Sequence, residues 1–136
     1  MSNVAAFRRL IEEGFSQGRL AVVDELVADD TIEHQRGLKP GREGVKETIS
    51  TLRSWFSDFH VEVADVAEAG DLVWARNVAT GLNTGSIMGR PATGRSMPID
   101  VYDTARFRDG KLVEHWGVPD QLGMLLQLGL VPGRPA

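Results

Sequence analysis

The chain has 136 residues, 42% hydrophobic and 25% charged, with no cysteine and a net charge of −4. That size and balance fit one globular domain over 1–136, with room for a core and one pocket. The acidic balance argues against a nucleic-acid or membrane partner, and the missing cysteine excludes disulfide and thiolate chemistry. No apolar run approaches membrane-spanning length, and acidic residues interrupt the N-terminus where a secretory apolar core would sit, so a cytoplasmic protein is expected.

Residues 3–17 read as a helix: Val4, Phe7, Ile11 and Phe15 form one apolar stripe, Ser2 caps it and Gly18 ends it. Residues 19–27 read as a second helix with Leu20, Val23 and Leu26 inward. The loop that follows contains Glu33, His34 and Gln35 and is punctuated by Gly37, Pro40 and Gly41. Residues 42–56 read as a third helix through Val45, Ile49, Leu52, Trp55 and Phe56. The period then changes to two. Residues 59–67 alternate, with Phe59, Val61 and Val63 on one face. Gly70-Asp71 breaks the run, and 72–80 form a strand that is largely apolar on both faces. Residues 81–95 are Gly-rich and read as a loop or bulge. Strands at 97–107 and 111–118 flank the Asp109-Gly110 turn, Pro119 stops the last one, and 120–128 read as a closing helix. Helices followed by an antiparallel meander predict an α+β fold with helices packed on one face of a curved sheet. The two apolar faces of strand 72–80 predict a second cover, which a homodimer through the sheet face would supply.

This order, with DELVADDTIEH at 24–34, GREGVKETISTLRSWFSD at 41–58, GDLVWARNVATG at 70–81, GRPATGR at 89–95 and RFRDGKLVEHWGVPDQLGMLLQLG at 106–129, resembles the SnoaL-like polyketide cyclase or ester cyclase family. The resemblance implies the cone-shaped fold typified by nuclear transport factor 2. It also implies a cofactor-independent cyclase or isomerase that moves a proton on a small, apolar, carbonyl-containing metabolite. The family often has a His in the segment that here reads GLNTG, with Asn83 in its place. Its cyclases carry His or Gln on the strand before the closing one, and 97–108 contain neither.

The resemblance makes Asp120 the acid/base, and a carboxyl facing an apolar pocket has its pKa raised toward neutrality, where it serves proton transfer. As residues alone, Asp120 is equally a helix cap. His34 is the second candidate, as a proton-transfer or carbonyl-binding group. Arg76 lies among apolar residues on the face of Trp74, and either pairs with a neighbouring acid or polarises a substrate carbonyl. Strict alternation puts Glu114, Trp116 and Val118 on the pocket face and His115 on the opposite, intersubunit one. On 97–107 two parities stay open, one turning Tyr102 inward and the other Asp103. Trp55, Phe59, Trp74, Met88 and Trp116 would wall the pocket, with Tyr102 in the first parity. No ligand pattern indicates a metal, and nothing calls for a cofactor. Two alternatives accompany the cyclase reading. One is a limonene-epoxide-type hydrolase in which Arg76 joins Asp120 and either Asp100 or Asp103. The other is a non-catalytic small-ligand-binding module.

Overall fold

A computed structural model describes residues 1–131. Helix α1 (Asn3–Arg9) begins on the Ser2 cap, whose hydroxyl accepts from Ala5 N, and runs on as a π-helical segment, Leu10–Ser16. Helix α2 (Leu20–Leu26) leads directly into strand β1 (Val27–Glu33), and α3 (Gly41–Trp55) into β2 (Phe56–Ala69). Strands β3 (Leu72–Asn83), β4 (Ser96–Arg108) and β5 (Lys111–Pro119) follow, and α4 (Gln121–Gln127) closes the described chain.

The five strands form one sheet in the order β1-β5-β4-β3-β2. The β2–β5 meander is antiparallel, as the alternation predicts. The segment read as a loop around Glu33 instead supplies β1, which pairs parallel with β5 and makes the sheet mixed. Thr31 anchors that edge by donating its hydroxyl to Leu112 O at 2.8 Å. The inner face carries Val61 and Val63 on β2, Val73, Ala75 and Ala79 on β3, and Ile99, Ala105 and Phe107 on β4, all buried with Phe7, Leu10, Leu26 and Ile49 from the helices. No helix among the described residues is long and apolar enough to cross a membrane.

Bulges on β2 and β5 set which side chains face inward near the cavity. On β2 an extra residue falls between the Ser57–Leu82 and His60–Thr80 pairs, where Asp58 has φ 52°. Phe56 and Phe59 therefore both turn in, their rings 6.0 Å apart. On β5, Leu112 pairs with Phe107 and Glu114 with Arg106, leaving Val113 unmatched. A bulge of one residue reverses the alternation beyond it. Leu112 faces inward before the bulge, and His115 and Gly117 after it.

Candidate functional site

Helices and the concave sheet face enclose a cavity of about 540 Å³. Its walls are apolar, with Phe7, Leu10, Trp55, Phe59, Met97 and Ile99 among the lining residues. One end is polar, and Glu33, Asn77, Asp103 and His115 meet there. β5 carries His115 at its centre. Its Nδ1 lies 2.6 Å from Glu33 Oε2 on β1 and its Nε2 lies 2.7 Å from Asp103 Oδ1 on β4. The three side chains keep only 16%, 5% and 10% of their exposure, respectively. Asn77 on β3 donates Nδ2 to Asp103 Oδ2 at 2.6 Å, and Gln35 N donates to Glu33 Oε2 at 3.0 Å.

An imidazole can satisfy two carboxylates as a donor on both nitrogens only when it is protonated. Burial alone lowers the His115 pKa, but the hydrogen bonds to Asp103 and Glu33 outweigh it and raise the value to about 9. The end of the cavity therefore holds an imidazolium between two carboxyl groups. Both ring nitrogens are spent on carboxylates, and neither is open to ligate a metal. Gly117 faces the same spot. A Cβ there would overlap Gln35 Oε1 and come within 2.9 Å of Asp103 Oδ1 and His115 Cε1.

The sequence candidates divide between two faces. Trp55, Phe59 and Met88 line the cavity. Asp120 lies outside it as the exposed N-cap of α4, its Oδ1 accepting from Gly123 N at 2.9 Å. His34, Arg76, Trp74, Tyr102 and Trp116 are on the outer face of the sheet. There His34 stacks on Trp116 at 4.7 Å and bonds Glu114 at 2.8 Å. His34 and then Arg106 hold the Glu114 carboxyl below its usual range. Arg76 pairs with Asp65 and Asp100 at 2.8 and 3.2 Å; Asp100 is one of the two acids that the hydrolase reading allows, but these pairs lie on the outer face of the sheet, and the Asp120 carboxylate caps α4 instead. The parity on β4 resolves with Asp103 inward and Tyr102 outward. His115 corrects the strict-alternation reading: the Val113 bulge turns it into the cavity rather than toward an intersubunit face. Glu33 and Asn77 are site residues that the sequence patterns miss. The signal for Asn77 was a polar residue at the alternate position between buried Ala75 and Ala79. Asn83, standing where the family often has His, is a structural clamp. It donates to Trp55 O and Gly85 O and accepts from Thr93 N.

Residues 5–128 match the family model described as SnoaL-like polyketide cyclase. An aklanonic acid methyl ester cyclase, DauD, from Streptomyces sp. (strain C5) is 31% identical over 128 residues, 90% of this chain and 78% of that protein. The nogalonic acid methyl ester cyclase of Streptomyces nogalater is 32% identical over 121 residues, 85% of this chain and 89% of that protein. The crystal structure of wild-type IdmH from Streptomyces antibioticus superposes with a TM-score of 0.84 at 34% identity, covering 95% of this chain and 99% of that one. TsrD from Streptomyces laurentii gives a TM-score of 0.86 at 25% identity, covering 95% and 96% of the two chains. With an apolar cavity closed at one end by paired carboxylates, and a match that runs almost from end to end, the chain belongs to the SnoaL-like polyketide cyclase family.

Proposed function

We propose that the protein closes a ring in a small, polyketide-like carbonyl compound by an intramolecular aldol reaction, with Asp103 as the acid/base. The observation that carries this reading is the enclosed Glu33–His115–Asp103 set at the polar end of an otherwise apolar cavity. A cavity of this size suits a small metabolite. The relatives named as methyl ester cyclases support the reaction class. Asp103 is favoured over Glu33 by position: it lies mid-strand among cavity-lining Ile99, Val101 and Ala105, whereas Glu33 ends the edge strand and is held by Gln35 N.

In the step, an Asp103 oxygen takes a proton from the carbon next to a substrate carbonyl. The resulting enolate carbon attacks a second carbonyl of the same molecule, forming the ring C–C bond, and Asp103 returns the proton to the new alkoxide. No atom is gained or lost. His115, fixed by Glu33, positions the Asp103 carboxylate and supplies positive charge beside it.

The test compares two variants on a methyl ester polyketide of the kind the relatives' names specify. Asp103→Asn is expected to lower kcat by about 10²–10⁴-fold while far-UV circular dichroism stays native. Asp120→Asn addresses the role implied by the family resemblance. Loss of turnover there, with Asp103→Asn active, would return the acid/base role to Asp120.

We further propose that two copies pair through the outer sheet face. Trp74, Tyr102 and Val118 are 54%, 55% and 70% exposed there and lie together along one shallow groove with Trp116. An exposed apolar cluster of this kind on a single chain supports a partner surface.

A further inference from the structure

The proton-transfer scheme needs a hydrogen-bond donor for the substrate carbonyl. When Asp103 removes the neighbouring proton, negative charge builds on that carbonyl oxygen, and a donor held in place for it lowers the barrier. The carboxylate–imidazole set has none to offer. His115 has both N–H groups on carboxylates, and Asn77, 1% exposed, turns Nδ2 to Asp103. Arg36 and Lys39 also line the cavity, but both are exposed, and Lys39 Nζ pairs with Glu47 at 3.1 Å. With Glu33, Asp103 and Glu47 on the same walls, the charges balance, so hydrogen bonding beside Asp103 selects the ligand there and net field does not.

Gln35 lines the cavity next to this set. Its backbone is fixed, because N donates to Glu33 Oε2 at 3.0 Å and O accepts from Leu38 N at 3.3 Å. Its side chain lies over Gly117. A Cβ on Gly117 would overlap Gln35 Oε1 and come within 2.9 Å of Asp103 Oδ1, so the amide and the carboxylate border the same point on the inner face of β5. The amide is also open. Gln35 is only partly buried, and the one buried side-chain N or O atom without a partner among the described residues is Asn77 Oδ1. A half-turn about the last side-chain torsion exchanges the amide oxygen and nitrogen within the same shape, which presents Nε2–H beside Asp103.

We infer that Gln35 is a catalytic residue whose Nε2–H bonds the oxygen of the substrate carbonyl that enolises, while Asp103 takes the proton from the adjacent carbon. This role rests on Asp103 being the acid/base. As the proton leaves, the C–H electron pair becomes the C=C bond of the enolate, and the carbonyl π pair moves onto the oxygen held by Gln35. Gln35 keeps its own proton throughout. The pair returns to the C=O bond when the enolate carbon attacks the second carbonyl and the ring closes.

The probe is 2-tetralone, an enolisable bicyclic ketone, with tetralin, which lacks the carbonyl, as the control ligand. Exchange of the protons next to the carbonyl for deuterium is followed in deuterium oxide at saturating ketone for the wild type, Gln35→Met, Asp103→Asn and Arg36→Gln. The Gln35 side-chain ¹H–¹⁵N resonances of the wild type are followed during titration with each ligand. Gln35→Met keeps the length and loses the donor, and is expected to lower the saturated rate by about 10²–10³-fold while the half-saturating concentration changes by less than about tenfold. Arg36→Gln should stay near the wild-type rate. The wild-type amide resonances should move with 2-tetralone and stay in place with tetralin, and they decide the matter should Gln35→Met fail to fold. Exchange lost in Asp103→Asn but kept in Gln35→Met, or an amide that responds equally to both ligands, overturns the role of Gln35 and leaves Asp103 standing. In that case a rate lost in Arg36→Gln gives the carbonyl to the guanidinium. Exchange no faster with the wild type than with Asp103→Asn overturns both roles.

Discussion

His115 ties the site's charge to pH in a way that can be read directly. Its pKa is about 9 in the fold against 6.5 for the free side chain, so the folded protein binds that proton more tightly than the unfolded chain. The resulting stabilisation is fully present below about pH 6.5 and is lost as pH rises through about 9. The linkage amounts to roughly 3 kcal/mol. Urea unfolding at pH 6 and pH 10 is expected to show this loss in the wild type and a much flatter profile in His115→Gln. A wild-type profile as flat as the variant's would show that the imidazolium is not held between Glu33 and Asp103. Gly117 provides a second test at the same place. In Gly117→Ala the flexible Gln35 side chain can move aside, but Asp103 Oδ1 and His115 Cε1 are pinned by their mutual hydrogen bond. The new methyl should displace that pair. Turnover is expected to fall by about tenfold or more, with a stability cost of about 1–3 kcal/mol. Unchanged kcat would mean that the pair does not need its observed geometry.

Among the elements, the three N-terminal helices and the meander were legible because their signals are local. The Val4–Phe7–Ile11–Phe15 stripe and the alternation of Phe59, Val61 and Val63 each lie within one segment. The site was not, because three non-local features build it. Glu33 reaches the cavity only because 27–33 pairs parallel with β5, and no short-range pattern announces that pairing. His115 reaches it only because Val113 is bulged out, which reverses the strict alternation that puts Glu114, Trp116 and Val118 on the pocket face. Asp103 could be placed only once the parity of β4 was known. The Gly-rich stretch after β3 shows the same dependence on distant partners. Asn83 joins the end of α3 to that loop through Trp55 O, Gly85 O and Thr93 N. Asn83→Ala takes the side-chain partner from Gly85 O and Thr93 N, while Trp55 O keeps the N–H groups of Thr84 and Gly85, and the change is expected to destabilise the fold by about 1–3 kcal/mol. Hydrogen exchange should rise first over 84–95 and the end of α3. Protection unchanged there would show that the loop is held by other contacts.

At the scale of the whole molecule, the sheet separates two chemistries. Its concave face holds the cavity and the carboxylate–imidazole set. Its convex face carries the aromatic groove, bordered by Arg76 with Asp65 and Asp100 and by Arg106 with Asp71 and Glu114. Those ion pairs are partly exposed and add little stability by themselves. Their placement around Trp74, Tyr102 and Trp116 gives the groove a polar rim, the arrangement in which buried aromatic anchors dominate association. Sedimentation velocity of the wild type is expected to give twice the 14.9 kDa chain mass. The double variant Trp74→Glu/Val118→Lys should sediment as a single chain with native circular dichroism. Because neither residue lines the cavity, turnover of the methyl ester polyketide by that variant reports whether pairing supports the site: an unchanged value makes each chain self-sufficient. A wild-type protein that stays a single chain at high micromolar concentration would remove the dimer and leave the convex groove open to solvent.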